Sequence, residues 1–411
     1  MRSLKKILVI VLSVLMVVSF MGCSAKEDSS TASATNTNSA GSSSSASASS
    51  GASSSSSKGF KIGYNYFGNA PVLVTLGNNS KYVVEAFGGT ATSMDDQFSA
   101  DKIIQDIENM ISLHVDGLVV WAPADALYPT ISKMCLEAKI PFVLADKIPS
   151  DPKIKDQLLQ NPYFVGGVAP KNADYGSSIA KYAIDKGYKT CIVNTSPVGD
   201  PSDQPRFDAF KKVFEAAGGK ILDVVHTTGT DGGVAQMENS LVAHPNPDFV
   251  YGVGSSFGTG AVKALAKYSY KTKVITSGLE EEVLSNLSAG KIEMANGDNW
   301  VSGTYAAVLL QNYLDGNKLL DKDGKAPVLD NVGFYQVTSK QVDLYKKCFI
   351  SETTYSVDEI KQMNGKTDKN FNYDAFVKVI TDYSLENRMA QKAKEGKVTK
   401  DQLAAVGIQI N

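Results

Sequence analysis

Short runs of β-branched residues alternate with amphipathic stretches along most of the chain from Phe60 onward. Between residues 100 and 113, for example, apolar residues recur at helical spacing and fall on one stripe: Ile103, Ile104, Ile107, Met110 and Ile111. Strands are predicted at 61–64, 90–94, 117–121 and 141–145, and, after the pattern restarts beyond Gly166, at 190–194, 221–226, 249–253, 273–276 and 292–295. Predicted helices separate most of them, near 173–186, 207–217, 260–268 and 281–289. We therefore expect an α/β fold of two similar, Rossmann-like lobes, each with a ligand crevice beyond the carboxyl ends of its parallel strands.

The first 58 residues differ from this pattern and predict export. Three basic residues precede an apolar run at 7–21, which is shorter than the ~20 residues that span a bilayer. The run ends in Phe20-Met21-Gly22-Cys23, which resembles the lipobox of bacterial lipoproteins. We expect residues 1–22 to be a signal peptide and Cys23 to be lipidated; an ordinary secretory signal with an incidental thiol is the alternative. The Ser/Ala-rich residues up to 58 predict a disordered linker with a reach of about 30 Å.

The remaining residues exceed the ~250–300 at which a single core stops growing, so two lobes are expected. The predicted boundaries are 59–166 with about 298–335 for the N-terminal lobe, and 167–297 with about 336–352 for the C-terminal lobe. Residues 353–411 are rich in Lys, Asp, Asn and Gln and predict a helical extension with no assigned role.

Composition removes several classes of function. Lys and Arg total 41 against 43 Asp and Glu, a formal net charge of -2, so nucleic acid is not an expected partner. Four Cys and three His argue against a disulfide framework and a His-rich metal site, and we expect Cys135, Cys191 and Cys348 to behave as small apolar residues. Phosphate-loop, dinucleotide, zinc-protease and nucleophile-elbow motifs are absent from the sequence. The sequence thus predicts no cofactor, no metal and no catalytic residues.

Polar and aromatic residues at predicted strand ends are the remaining candidates. Asp146 and Lys147 close the strand at 141–145, where a carboxylate acceptor beside an ammonium donor suits a polyhydroxylated ligand; a solvated loop pair is the alternative. Trp121 ends another strand and is either core or ligand wall. Arg206, placed just ahead of the helix near 207, is either a ligand donor or a solvated surface residue. Three residues follow the first strand and include rings that could stack on a ligand: Tyr66, Phe67 and Asn69.

Two segments resemble the type I periplasmic sugar-binding proteins of ABC importers, in their ribose-binding-like group, over roughly 60–345. They are D-G-L-V-V-W-A-P-A-D from Asp116 and A-K-I-P-F-V-L-A-D-K ending at Lys147. The resemblance implies that a hinge joins the two lobes and that the ligand lies in the cleft between them. It further implies that Asp146, and Lys147 in place of the usual Arg, hold sugar hydroxyls. It also implies a ligand contact for Arg206, because P-R-F-D-A-F matches the family's second-lobe motif.

The second lobe departs from that pattern at two places. Gly254-Ser255-Ser256 stands where the family has Asn-Asp, and Thr276-Ser-Gly-Leu-Glu280 stands where it has Gly-Phe-Asp. Four neighbouring polar residues could compensate: Asp231, Glu280, Asn296 and Asn299. Ser255 is a further candidate ligand contact. A ribose-like ligand would lose partners here, so an amine-bearing sugar or another small solute stays open.

Together these features predict a lipid-anchored, extracytoplasmic, monomeric binding protein. It would capture a small polar solute, a sugar or sugar derivative, and deliver it to an ABC permease. A receptor component that reports the solute to a membrane signalling protein is the alternative, and the neighbouring genes would discriminate between the two. A sugar hydrolase would need paired carboxylates, and Asp146 with Glu280 is the pair that could be proposed for it.

Overall fold

The structure is a computed structural model that describes residues 59–68, 70–227 and 231–410. The predicted signal peptide, Cys23 and the Ser/Ala-rich linker lie outside these residues. Within the described part of the chain, no helix combines the length and the apolar character needed to cross a bilayer.

Strands and helices alternate between Lys61 and Leu314, as the hydrophobic pattern predicts. The twelve strands of the described residues are β1 Lys61–Tyr66, β2 Thr90–Asp95, β3 Gly117–Val120, β4 Phe142–Ala145, β5 Phe164–Pro170, β6 Thr190–Thr195, β7 Lys220–His226, β8 Phe249–Gly252, β9 Lys273–Ser277, β10 Met294–Gly297, β11 Val328–Val332 and β12 Tyr335–Thr338. The α-helices are α1 Pro71–Ala86, α2 Ala100–Ser112, α3 Tyr128–Ala138, α4 Pro152–Leu159, α5 Asn172–Asp185, α6 Asp203–Ala216, α7 Val234–Ala243, α8 Ser255–Leu265, α9 Glu281–Ser288, α10 Val301–Leu314, α11 Val342–Tyr345, α12 Val357–Gln362, α13 Tyr373–Thr381, α14 Leu385–Lys394 and α15 Lys400–Ala405.

The strands form two six-stranded sheets with equivalent strand orders. The first sheet runs β2-β1-β3-β4-β5-β11 and the second runs β7-β6-β8-β9-β10-β12. All neighbours pair in parallel except β10 and β12, which are antiparallel. This order places a topological switch point in each sheet, where the carboxyl ends of parallel strands open a crevice. We call the two sheets with their helices the first and second lobes, and the two-lobed α/β prediction is confirmed.

The chain passes between the lobes three times. It leaves the first lobe between β5 and α5, returns between β10 and α10, and crosses again in the short segment between β11 and β12. Three adjacent crossings of this kind permit rotation of one lobe against the other about a common hinge.

Each lobe has a cluster of buried apolar residues of its own, and a third cluster includes residues of both lobes and of the segment from 353 onward. In the first lobe, Ile103, Ile107 and Met110 of α2 pack with Leu118 and Phe142, which confirms the helical stripe. In the second lobe, the rings of Phe210, Phe214 and Phe249 lie 5.3 to 6.1 Å apart and anchor α6 to the sheet. Rigid cores of this kind hold the strand ends in fixed positions.

The boundaries of several elements differ from the sequence-based prediction. Residue 166 falls inside β5, which belongs to the first sheet as far as Pro170 and was not predicted as a strand. Helix α6 begins at Asp203, so Arg206 lies in its first turn and not ahead of it. Pro205 is tolerated there because the first N–H groups of a helix have no partner within it. Similarly, helix α8 begins at Ser255, about five residues before its predicted start near 260.

The residues from 353 onward form four short helices packed against the hinge. Tyr383 donates a hydrogen bond to the buried carboxylate of Asp298, next to the crossing between β10 and α10, and its ring stacks 4.7 Å from that of Tyr335. A Cβ at Gly333 would lie 2.2 Å from the Tyr383 carbonyl oxygen, so a glycine is needed in the crossing between β11 and β12. The predicted helical extension is thus part of the packed structure around the hinge.

Candidate ligand site between the lobes

A cavity of about 270 Å³ lies where the carboxyl ends of the two sheets face each other. The first lobe lines it with Val72, Leu73, Trp121, Asp146 and Lys147, and the second with Tyr175, Asp203, Arg206, Ser255, Ser277 and Glu280. Its volume is slightly below the ~300 Å³ lower limit of drug-sized ligand pockets, so it suits a small solute. The cleft continues into a second cavity of about 470 Å³, to which Asp146, Lys147 and Ser202 also belong.

Asp146 is held at the cavity wall by partners from three segments. Its backbone adopts φ +65° directly after β4, and its N–H donates to the carbonyl of Val168 at 2.8 Å. The Asn299 Nδ2 donates to Oδ1 at 2.8 Å, and the Trp121 Nε1 lies 3.4 Å from Oδ2. Because these two donors leave lone pairs unused, the carboxylate can accept further hydrogen bonds from a ligand.

Trp121 is both a buried residue and a cavity wall. Only 6% of it is exposed, which is what a core role predicts, yet its ring faces the cleft with the Lys147 Nζ 5.2 Å from its centroid. Phe67 stacks behind it at 5.3 Å and fixes its orientation. An apolar ring face flanked by a carboxylate and an ammonium can hold a solute with one apolar and one polar side.

Arg206 reaches the cavity from the first turn of α6. Its Nε donates to Asn172 Oδ1 at 2.9 Å, its Nη1 lies 3.6 Å from Asp203 Oδ1, and its guanidinium lies 4.8 Å from the centre of the Tyr175 ring. The helices α5 and α6 approach closely here, since a Cβ at Gly176 would lie 1.8 Å from the Arg206 carbonyl oxygen. This contact places Tyr175 and Arg206 side by side on the second lobe.

Two carboxyls of the second lobe are destabilised as anions by burial. Burial raises the pKa of Asp203 above its usual value, and Arg206 opposes that shift without cancelling it. Burial likewise raises the pKa of Glu280, against the opposing effects of Ser255 and Arg206. Gly278 makes room for Glu280: its φ is +111°, and a Cβ there would lie 2.5 Å from the Glu280 Oε2.

The structure brings seven of the sequence-predicted site residues to this cavity: Trp121, Asp146, Lys147, Arg206, Ser255, Glu280 and Asn299. Tyr66 and Phe67 do not line it; Tyr66 ends β1 beside Asp95, and Phe67 supports Trp121 from behind. Asp231 is exposed in the turn before α7, where its Oδ1 accepts from the N–H of Gly233 at 3.0 Å. Asn69 lies outside the described residues.

Sequence reasoning missed other residues of the wall, notably Asp203, Tyr175 and Ser277. Asp203 carries a signal that could have been used, because it stands three residues before Arg206 and would share a helix face with it. Tyr175 has no such signal, since it reaches the cavity only through the contact of α5 with α6.

Across the described ranges, His, Cys, Asp and Glu do not cluster in groups of three or more that could hold a metal ion. The three described cysteines are free and buried. The cavity offers hydrogen-bond donors, acceptors, charges and one large ring face, which is a set of groups for non-covalent binding.

Solved structures with the same fold share most of the described chain. A periplasmic ribose ABC transporter from Conexibacter woesei is 22% identical, with a TM-score of 0.60 over 73% of this chain and 98% of that chain. An ABC transporter solute-binding protein from Burkholderia graminis, in complex with D-arabinose, is 19% identical, with a TM-score of 0.59 over 69% and 96%. A glucose-galactose binding protein from Geobacillus stearothermophilus is 16% identical, with a TM-score of 0.56 over 69% and 98%.

No curated protein matches the chain. The profile of the periplasmic binding protein domain matches residues 64–318, which is more than half of the sequence. This match agrees with the two equivalent sheets, the three crossings and the cavity between the lobes. The chain therefore belongs to the periplasmic binding protein family and has its type I fold.

Proposed function

We propose that this protein binds a small polar solute, a sugar or sugar derivative, in the cavity between its lobes and delivers it to an ABC permease. One observation carries the proposal: side chains of both lobes line the same cavity of about 270 Å³. Trp121 and Asp146 come from the first lobe, and Arg206 and Glu280 come from the second. Carboxylates accept from hydroxyls, the guanidinium donates to them, and the indole face covers the apolar side of a ring.

The relatives support a carbohydrate ligand. The Burkholderia graminis protein is described with D-arabinose, and the other two structures are described by ribose and by glucose and galactose. The periplasmic binding protein family consists of substrate-binding proteins, and we infer that this member also binds its ligand without chemical change.

Binding would be coupled to rotation of the lobes. A ligand touching both lobes stabilises the closed arrangement because contacts from each side are made simultaneously only there. The closed form would then be the form that a permease recognises.

Thermal unfolding of the purified protein with a panel of monosaccharides tests the proposal. A ligand at 100 times its Kd adds about 2.7 kcal/mol to the stability of the native state, so the Tm should rise by several degrees. Calorimetric titration of each hit should then give one site per chain. If no sugar or related small solute raises the Tm, the proposed function is refuted.

We also propose that the protein is held at the outer face of the cell membrane through lipidated Cys23, with the Ser/Ala-rich residues as a spacer. Two acyl chains anchor a protein stably where one does not. Mass spectrometry of the mature N-terminus should find a diacylated cysteine, and Cys23→Ala should release the protein from the membrane fraction. A mature protein that begins elsewhere, without lipid, would contradict the anchor and leave the binding function untouched.

A further inference from the structure

The cavity between the lobes is lined by more acids than bases. Its ionisable side chains are four carboxylates and two cations: Asp146, Asp200, Asp203, Glu280, Lys147 and Arg206. An imbalance of this size inside a small cavity favours a ligand that brings positive charge.

Three of the four carboxylates already have partners. Asp200 Oδ1 accepts the N–H groups of Ser202 and Asp203 at 2.9 and 2.8 Å, at the start of α6. Asp203 lies 3.6 Å from the Arg206 guanidinium, and Asp146 accepts from Asn299 at 2.8 Å. Hydrogen bonds stabilise Asp146 and Asp200, and a cation stabilises Asp203.

Glu280 differs from these three. Its Oε2 is buried and has no hydrogen-bond partner among the described residues, and the groups that oppose the rise in the pKa of this carboxyl are its own backbone N–H, the Ser255 hydroxyl and the already engaged Arg206. The neighbouring cation, Arg206, is already engaged with Asn172, Asp203 and the Tyr175 ring. The other cation, Lys147, lies against Trp121 on the first lobe and forms no ion pair within 4.0 Å in the described ranges. A buried carboxylate in this position is costly unless a ligand supplies both donors and charge.

We propose that the ligand carries a protonated amine, as an amino sugar or another small polyhydroxylated amine does, and that Glu280 is its counter-ion. An ammonium supplies three donors and a positive charge, whereas a hydroxyl supplies one donor and no charge. The inference rests on the proposed function and names the chemical class of its solute.

Calorimetric titration with matched sugars tests the inference. The sugars form two trios, and the members of each trio differ only at C2. The first trio is glucosamine, glucose and N-acetylglucosamine, and the second is galactosamine, galactose and N-acetylgalactosamine. At least one amine should bind about 10- to 100-fold more tightly than its hydroxyl and N-acetyl counterparts, the range expected for one charge-assisted hydrogen bond.

Glu280→Gln should remove this preference, because the affinity for the amine should fall about 10- to 100-fold further than the affinity for the neutral sugar. Glu280→Asp retains the charge and should keep part of the preference. Glu281→Gln is the matched control, because Glu281 is the next residue, is exposed and does not line the cavity, and it should bind like the unaltered protein. The Tm of each variant without ligand shows whether it is folded.

The outcomes separate the two proposals. Neutral sugars that bind as tightly as their amines, or a preference that survives Glu280→Gln in a folded variant, overturn this inference and leave sugar binding in place. If neither amines nor neutral sugars bind, the proposed function fails and this inference falls with it.

Discussion

Asp146→Gly should separate ligand binding from stability. Asp146 holds φ +65°, a region that costs a residue with a side chain on the order of 1 kcal/mol and costs glycine almost nothing. The substitution also removes the acceptor of the hydrogen bonds from Asn299 at 2.8 Å and from the Trp121 Nε1 at 3.4 Å, worth together about 1–2 kcal/mol. Because the two changes oppose each other, the free energy of unfolding of the ligand-free protein should change by no more than about 1 kcal/mol.

Ligand affinity should respond very differently. Loss of a carboxylate that accepts hydrogen bonds from the solute costs about 1.5–3 kcal/mol, so the Kd should rise roughly 10- to 150-fold. Urea unfolding without ligand and calorimetric titration with the best sugar measure the two effects separately.

Lys139→Gly is the matched control. Lys139 has φ +56° in the left-handed C-cap position of α3, is exposed and lies outside the cavity. It should gain about 1 kcal/mol of stability and keep the affinity unchanged. Unchanged affinity in Asp146→Gly would remove Asp146 from the site, and a loss of stability well beyond 1 kcal/mol would refute the reasoning about its backbone.

Three further predictions concern the fold. Burial raises the pKa of both Asp298 and Asp96 to about 7. Between about pH 4 and pH 7 these two groups therefore bind more protons in the folded than in the unfolded state. Their contribution to the free energy of unfolding falls as the pH rises through that window. Urea unfolding at pH 5 and pH 8 should show a smaller fall in Asp298→Asn, and an identical fall in both proteins would count against this assignment. Tyr383→Phe removes a donor to buried Asp298 and should cost about 1–3 kcal/mol in urea unfolding at pH 8, whereas no loss would show that the contact is not stabilising. Phe214→Ala empties part of the second-lobe core and should cost about 3–5 kcal/mol, and a Tm within a degree of the unaltered protein would contradict the described packing.

The strands next to the site could be predicted from the sequence because they are buried on both faces. β3 and β4 are uninterrupted apolar runs, and their ends lie within one residue of the predicted ends. Parallel strands covered by helices on both sides have this composition. The positions of Trp121, Asp146 and Lys147 at the cavity follow from those strand ends.

Other elements could not be predicted because tertiary contacts override local preference. β5 has the sequence F-V-G-G-V-A-P, whose glycines and proline disfavour a strand, yet all seven residues are buried and pair with β4 and β11. Helix α6 begins at Asp203, about four residues before its predicted start near 207, and the correct start would have placed Asp203 beside Arg206. Tyr175 reaches the cavity through the close approach at Gly176, which local sequence does not encode.

The C-terminal extension could be predicted from the sequence only in part. Two of its four helix starts are visible in the sequence as capping boxes, Ser356 with Glu359 and Thr399 with Gln402. The packing of the extension on the hinge is not visible in the sequence. Tyr383 contacts Asp298, Gly333 and Tyr335, which lie in or next to the crossings and more than forty residues earlier in the chain.

A crystal structure of the protein with the tightest-binding sugar from the calorimetric panel tests the central claim most directly. The account predicts one solute between the lobes, within hydrogen-bond distance of both Asp146 and Arg206 and against the ring of Trp121. A solute bound to one lobe alone, or in the cavity of about 800 Å³ beside Tyr355 and Arg388 in the extension, would contradict it.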